Sequence, residues 1–209
     1  MALKPQKTAD QEWFQRVYET TPYRKLHWYS ARPHPYLPKA IREGWLAPQS
    51  RILDVGCGAG TAALYLTRRG FHVAAVDFAP GAVKAAQARA RRAGLSIDFR
   101  VADATALPYP DRHFQGLLDE GCFHSVPANK RSRYASEMAR ILRPGGRFLL
   151  AWAGAESTAV PNGPHRLSLT DVARMLEGNF LFRRTEFAEA EWGPLSMYHS
   201  VLERRVHSI

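Results

Sequence analysis

Two hydrophobic rhythms alternate along this chain. Compact apolar runs from Ile52 to Val55, Phe71 to Val76, Ser96 to Val101, His113 to Asp119 and Arg147 to Trp152 have the length and branched composition of strands. Between them, apolar residues three and four apart over Thr61 to Arg69, Ala82 to Ala93 and Asn129 to Leu142 predict amphipathic helices. The punctuation agrees. Gly70 and Gly94 stop two helices, Pro80 sits in a first turn, and Arg143-Pro-Gly-Gly146 breaks the last helix from its strand. Such alternation predicts an α/β fold, a Rossmann-like doubly wound sheet that is mostly parallel and covered on both faces.

The flanks read differently. Thr170-Asp171 caps a helix through Glu177, and the alternation in Phe180 to Ala188 and Ser196 to Arg204 predicts a closing antiparallel hairpin. Residues 153 to 168, rich in Gly, Pro and Ser, predict a functional or mobile loop. At the other end, residues 1 to 9 are expected to be disordered. Asp10 caps a predicted helix through Glu19 that places Trp13, Phe14, Val17 and Tyr18 at helical spacing. A proline-broken aromatic arm follows from Thr21 to Tyr36, then a helix from Tyr36 to Gly44. The expected division is a helical and aromatic arm and lid over residues 1–46 and the sheet domain over 47–209.

Chemistry concentrates where strands end. The first strand runs into Asp54 and then glycines 56, 58 and 60, a turn whose backbone a ligand can approach closely beside a helix N-terminus. The spacing is G-x-G-x-G rather than the dinucleotide G-x-G-x-x-G, and Asp54 would repel a pyrophosphate. An acid at that place suits a ligand with a cationic end. The second strand ends at Asp77, about twenty residues on, where an acid accepts hydrogen bonds from ribose hydroxyls. Asp103 follows the third strand and Asp119 closes the fourth, so acids recur at one sheet edge.

Asp54-Val-Gly-Cys-Gly-Ala-Gly60 resembles motif I of the class I S-adenosylmethionine-dependent methyltransferases, and Leu142-Arg-Pro-Gly-Gly-Arg147 resembles a later turn of the same family. The resemblance spans Ile52 to Trp152. It implies a seven-stranded sheet with an antiparallel C-terminal hairpin and S-adenosyl-L-methionine as cofactor. It assigns Asp54, Gly56, Cys57, Gly58 and Gly60 to the methionine end, Asp77 with Phe78 to the ribose, Asp103 and Ala104 to adenine, and Asp119 to the acid of strand four. More narrowly, the arm Trp28-Tyr-Ser-Ala-Arg-Pro-His-Pro-Tyr36 and Asp119-Glu-Gly-Cys-Phe-His124 resemble small bacterial thiopurine and tellurite methyltransferases, although Trp28-Tyr-Ser-Ala stands where such relatives often carry Trp-Asp-x-Gly. That likeness implies a thiol or other soft nucleophile as acceptor.

Composition changes this picture at two points. A formal charge of +10 over 209 residues makes nucleic acid a conceivable partner. The arginines are scattered as doublets, however, and strand four lacks the Asn/Asp-Pro-Pro-aromatic run of base-amino methylation. Two cysteines and eight dispersed histidines form no metal-ligand spacing. No apolar run approaches a membrane span and the first residues lack a signal-peptide core, so a soluble cytoplasmic protein is expected. His124 is the expected general base, oriented by Asp119 or Glu120, with Tyr29, Arg32 and Tyr36 gripping an anionic acceptor. The leading reading is a methyltransferase for small molecules; the alternatives are a tRNA or rRNA methyltransferase and a non-catalytic S-adenosylmethionine-binding protein.

Overall fold

A computed structural model describes residues 9–157, 165–189 and 195–206. The expected disorder before Ala9 and the middle of the 153–168 loop lie outside these residues, as does the side chain of the cap candidate Asp10.

Seven strands form one sheet in the order β3-β2-β1-β4-β5-β7-β6. They are β1 (Arg51–Val55), β2 (His72–Asp77), β3 (Asp98–Val101), β4 (Phe114–Glu120), β5 (Leu142–Ala153), β6 (Phe180–Ala188) and β7 (Met197–Arg204). The first five are parallel; β7 runs antiparallel between β5 and β6. The expected doubly wound sheet and closing hairpin are both present. The helices are α1 (Ala9–Thr20), α2 (Tyr36–Arg42), α3 (Thr61–Thr67), α4 (Pro80–Arg92), α5 (Arg131–Ile141) and α6 (Leu169–Leu176).

Strand residues alternate between two cores because successive side chains leave opposite faces. On one face Leu53, Leu117, Phe148, Leu150 and Leu202 pack with Tyr134 and Met138 of α5 and Val172 of α6. On the other, Ile52, Leu118, Leu149 and Val201 pack with Leu37 of α2, Leu66 of α3 and Ala86 of α4. Residues 36–46 therefore share the second core with the sheet, and Leu46 lies directly over Gly116, where a Cβ would come within 2.1 Å of its Cδ1.

One boundary differs from expectation. Arg143-Pro-Gly-Gly146 does not break the chain away from the sheet; β5 already begins at Leu142, which pairs with Phe114. The next pair is Gly116 with Arg147, so the segment bulges from the ladder, with Gly145 at φ +72°. Parallel pairing fixes the functional geometry: β1, β2, β3, β4 and β5 all deliver their C-terminal residues to one edge.

Phe148 is fully buried with its ring 5.7 Å from that of Phe180. Phe148→Ala is expected to destabilise the fold by about 3–5 kcal/mol, measured by urea denaturation; a loss below 1 kcal/mol would mean this face is not closely packed.

Candidate active site

The strand ends open into a cavity of about 530 Å³ on the α2 side of the sheet. Its floor is the turn after β1. Cys57 N–H donates to the Val76 carbonyl at 2.9 Å, tying the turn to β2, and Arg89 donates to the Ala59 carbonyl and the Thr61 hydroxyl at 2.6 and 2.9 Å. Gly56 and Gly58 hold φ of +69° and +52°. A Cβ on Gly58 would stand 3.0 Å from the Tyr18 hydroxyl, so the bare backbone keeps the floor open beneath α1. Gly60 plays another part: it does not line the cavity, and its bare Cα admits Ala86 of α4, 2.9 Å from where a Cβ would stand.

Carboxylates ring this end. Asp54 accepts the Ala63 N–H at 3.1 Å, and Asp77 accepts those of Gly58 and Ala79, each at 2.9 Å. Burial pushes the Asp54 carboxyl up to about 7 against the pull of the Ala63 bond, with Asp119 and Asp77 adding to the rise. Burial likewise pushes Asp77 up to about 6, although its two backbone bonds oppose it. Glu120 is exposed at the tip of β4, where it faces the cavity; the protein crowded around the strand end and the charges of Asp54 and Asp119 push its carboxyl up to about 8. Asp103 is the exception. Burial works against its charge, but hydrogen bonds from Thr105 and Gln11 outweigh that and hold it below the usual range.

The roof is aromatic and comes from α1 and the arm. Trp28 donates its indole N–H to the Tyr18 hydroxyl at 3.1 Å and packs against Trp13 and Phe14, with ring centroids 5.9 and 5.5 Å apart. Phe14 meets Phe78 edge-on at 6.0 Å, and Gln15 donates to the Phe78 carbonyl at 3.4 Å. Cys57, Phe78, Asp103 and Ala104 all line the cavity, as do Tyr29 and Arg32.

Three predicted residues do not. Asp119 is 0% exposed and accepts from the backbone N–H groups of Gly121, Cys122 and Phe123 and, at 2.5 Å, from the Tyr134 hydroxyl. It sits on the opposite sheet face and fastens the turn after β4, rather than orienting a base or touching a ligand. Tyr36 is buried against His199 outside the cavity, with ring centroids 4.6 Å apart. Gly60 is the third, for the packing reason given above. His124 does line the cavity, but its Nδ1 accepts the Ala153 N–H at 2.8 Å, which leaves the proton on Nε2. Burial, with His165 and Arg131 nearby, drives its pKa down to about 3. The ring is a neutral donor in this arrangement, so the expected general-base role does not hold.

The sequence reading overlooked the wall opposite the carboxylates, formed by Ala151 on β5, Met197 and His199 on β7, and His34 from the arm. The inward alternation of Met197, His199 and Val201 on a predicted strand was the available signal. Among the described residues, no group of three or more His, Cys, Asp or Glu is placed to hold a metal ion. No helix among them is long and apolar enough to cross a membrane.

The site's fit to a cofactor follows from its donor set. Carboxylates beside a turn that excludes pyrophosphate suit a ligand with cationic and hydroxyl groups, and S-adenosylmethionine carries an ammonium, a sulfonium, a ribose and an adenine amine.

Residues 52–146 match the methyltransferase-domain family. A 2-heptyl-1-hydroxyquinolin-4(1H)-one methyltransferase of Mycobacteroides abscessus is 33% identical over 151 residues, covering 71% of this chain and 66% of that protein. Among solved structures, one described for the conversion of a disulfide bond into a thioacetal group during echinomycin biosynthesis superposes with a TM-score of 0.82 at 21% identity, covering 95% of this chain and 94% of its own. The Burkholderia thailandensis 1,6-didemethyltoxoflavin N1-methyltransferase, bound to 1,6-didemethyltoxoflavin and S-adenosylhomocysteine, superposes with a TM-score of 0.75 at 20% identity, covering 98% and 94%.

Two expectations follow from the carboxyl groups. Tyr134→Phe removes a donor to a buried carboxylate and should cost about 1–3 kcal/mol while changing S-adenosylhomocysteine affinity less than twofold, as read by denaturation and calorimetry. A large loss of affinity would return Asp119 to the binding site. The second concerns pH. Carboxyl groups whose folded pKa is raised stabilise the fold below their unfolded pKa, and that stability is lost as pH rises through the folded value. His124 and His199, both driven down to about 3, oppose this only below about pH 6.5, where the unfolded chain takes up protons. The melting temperature of the ligand-free protein should therefore fall as pH rises from 6.5 to 8.5, the window in which Asp54 and Glu120 titrate. A rising melting temperature there would contradict the assignment.

Residues 52–146 thus match the methyltransferase domain on a seven-stranded sheet, and the chain spans just under two thirds of the length of the hydroxyquinolinone methyltransferase it resembles.

Proposed function

We propose that the protein methylates a hydroxyl group on a small planar aromatic acceptor, using S-adenosylmethionine. The observation that carries this reading is a single cavity that joins the carboxylate-ringed strand ends to a wall of small, apolar and imidazole side chains under one aromatic roof. The relative that acts on a hydroxyquinolinone supports the acceptor class. When bound, the cofactor supplies a methyl group made electrophilic by a sulfonium.

The chain's own residues do the rest. Asp77 accepts from ribose hydroxyls, Asp103 from the adenine amine, and Asp54 faces the ammonium end with Gly56, Cys57 and Gly58 beneath. Phe78 flanks the nucleoside, and the Ala104 backbone completes the adenine contacts. Trp13, Phe14 and Trp28 exclude water, so the attacking atom is held in line with the methyl carbon; alignment of this kind is worth up to about 7–11 kcal/mol. Tyr29 and Arg32 are the lid groups nearest an incoming acceptor.

The thiol acceptor implied by the narrower resemblance competes with this reading, and the +10 charge keeps RNA in the comparison. The test is a methyl-transfer panel of hydroxyquinolinones, phenols, thiols and tRNA, run beside calorimetry with S-adenosylhomocysteine and NADH. Turnover of the aromatic hydroxyls and binding of S-adenosylhomocysteine alone are expected. Turnover confined to thiols or tRNA would overturn the acceptor assignment, and binding of NADH alone would overturn the cofactor. Asp77→Ala should weaken S-adenosylhomocysteine by about 1.5–3 kcal/mol, the scale of hydrogen bonds to a charged group; unchanged affinity would remove Asp77 from the ribose site.

A further inference from the structure

The strand register places three cavity residues in one row. Glu120 of β4 pairs with Ala151 of β5, and Ala151 pairs with His199 of β7. Paired residues on adjacent strands project from the same face, and strands lie about 4.8 Å apart. Glu120 and His199 therefore flank a gap of about 10 Å between backbones, with only a methyl group between them. All three line the cavity, whereas their neighbours Asp119, Leu150 and Ser200 point into the other core.

Each end of the row has unfinished chemistry. His199 is 3% exposed, and its Nε2 has no hydrogen-bond partner among the described residues, a costly state for a buried polar atom. Its ring stacks on His34 at 4.5 Å and packs against the tilted ring of Tyr36 at 4.6 Å, contacts that hold its orientation. The cross-strand neighbour on its other side, Glu186, is engaged by Lys39 at 2.6 Å and Arg184 at 3.3 Å. Glu120 stands two residues beyond Leu118, the β4 partner of Asp54, with Asp119 behind it in β4 and His124 in the turn that follows, and among the described residues it forms no ion pair.

We infer that the methyl acceptor lies over Ala151, its ring polar atom bonded to His199 and its hydroxyl directed at Glu120, which serves as the general base. This rests on the aromatic-hydroxyl reading above and assigns that acceptor its place. The proton of the hydroxyl passes to the Glu120 carboxylate while an oxygen lone pair forms the new C–O bond. The C–S bonding pair returns to sulfur, leaving an ether, a neutral thioether and a protonated Glu120 that gives its proton to water. A base near the operating pH is the effective kind, and desolvation by the protein around Glu120, together with the charges of Asp54 and Asp119, moves it in that direction. The small side chain at 151 is what admits a flat ring, which makes this position the determinant of acceptor size.

The probe is 2-heptyl-1-hydroxyquinolin-4(1H)-one, titrated into the full chain saturated with S-adenosylhomocysteine, so that binding is read without turnover. Ala151→Leu should weaken the probe at least thirtyfold and Ala151→Val less, with S-adenosylhomocysteine affinity kept within threefold as the check that the variants fold. His199→Phe keeps the stacked ring and should weaken the probe about tenfold. Glu120→Gln should keep probe affinity within threefold, lower kcat 10²- to 10⁴-fold and abolish the acidic limb of the wild-type pH profile. If wild type does not bind the probe, the aromatic-hydroxyl reading fails and this proposal with it. If wild type binds it and Ala151→Leu binds it equally, the slot is wrong while that reading stands. A Glu120→Gln enzyme with the wild-type kcat and pH profile would remove the base.

Discussion

Four carboxylates crowd the edge where β1, β2 and β4 end, and they repel one another while losing hydration. Asp54, Asp77 and Glu120 border the cavity, with Asp119 just behind; burial drives the three aspartates above the ordinary carboxylate range, and Glu120, exposed at the β4 tip, is raised with them by the surrounding protein and by the charges of Asp54 and Asp119. A fold would shed such a cluster if it served only packing, because isolated buried charges are expensive. The arrangement becomes favourable when a cation enters, and the rest of the site is organised around that condition. The glycine floor lets a ligand reach the acids, and the aromatic roof keeps water from screening them.

The sheet explains why one cavity contains two kinds of surface. Parallel strands bring acids to the β1, β2 and β4 tips, while antiparallel β7 brings residues from its N-terminal end to the same edge. Met197 and His199 thus stand beside β5 on the side away from the carboxylates. Tyr134 and the backbone of the β4 turn donate hydrogen bonds to Asp119 from the opposite face, which holds Glu120, Gly121 and His124 where they border the cavity. The N-terminal region is tied to both halves: Gln11 reaches Asp103 and Gln15 reaches Phe78 beside the ends of β2 and β3, while His34 stacks on His199.

Much of this was legible in the chain. The Asp54 to Gly60 run and the acids at 77 and 103 sit where local pattern and spacing put them, because a parallel strand followed by a helix has few ways to continue. What escaped the sequence depends on partners distant in the chain. Asp119 looks like its neighbouring acids until the hydroxyl of Tyr134, fifteen residues on, is seen to saturate it. His124 reads as a base until the Ala153 N–H occupies its Nδ1. The importance of Ala151 and His199 rests on register between β4, β5 and β7, and a one-residue slip would send both into the opposite core. The bulge at Arg143 to Gly146 was hidden for a similar reason, since glycine and proline mark a departure from regular pairing without saying whether the strand resumes.

The most direct measurement of the division into a carboxylate half and an acceptor half is a crystal structure of the protein with S-adenosylhomocysteine and the hydroxyquinolinone bound together. The account predicts ribose hydroxyls within hydrogen-bond distance of Asp77 and the quinolinone ring over Ala151, between Glu120 and His199. A nucleoside away from Asp77, or a quinolinone ring seated elsewhere with the Ala151 gap unfilled, would contradict it.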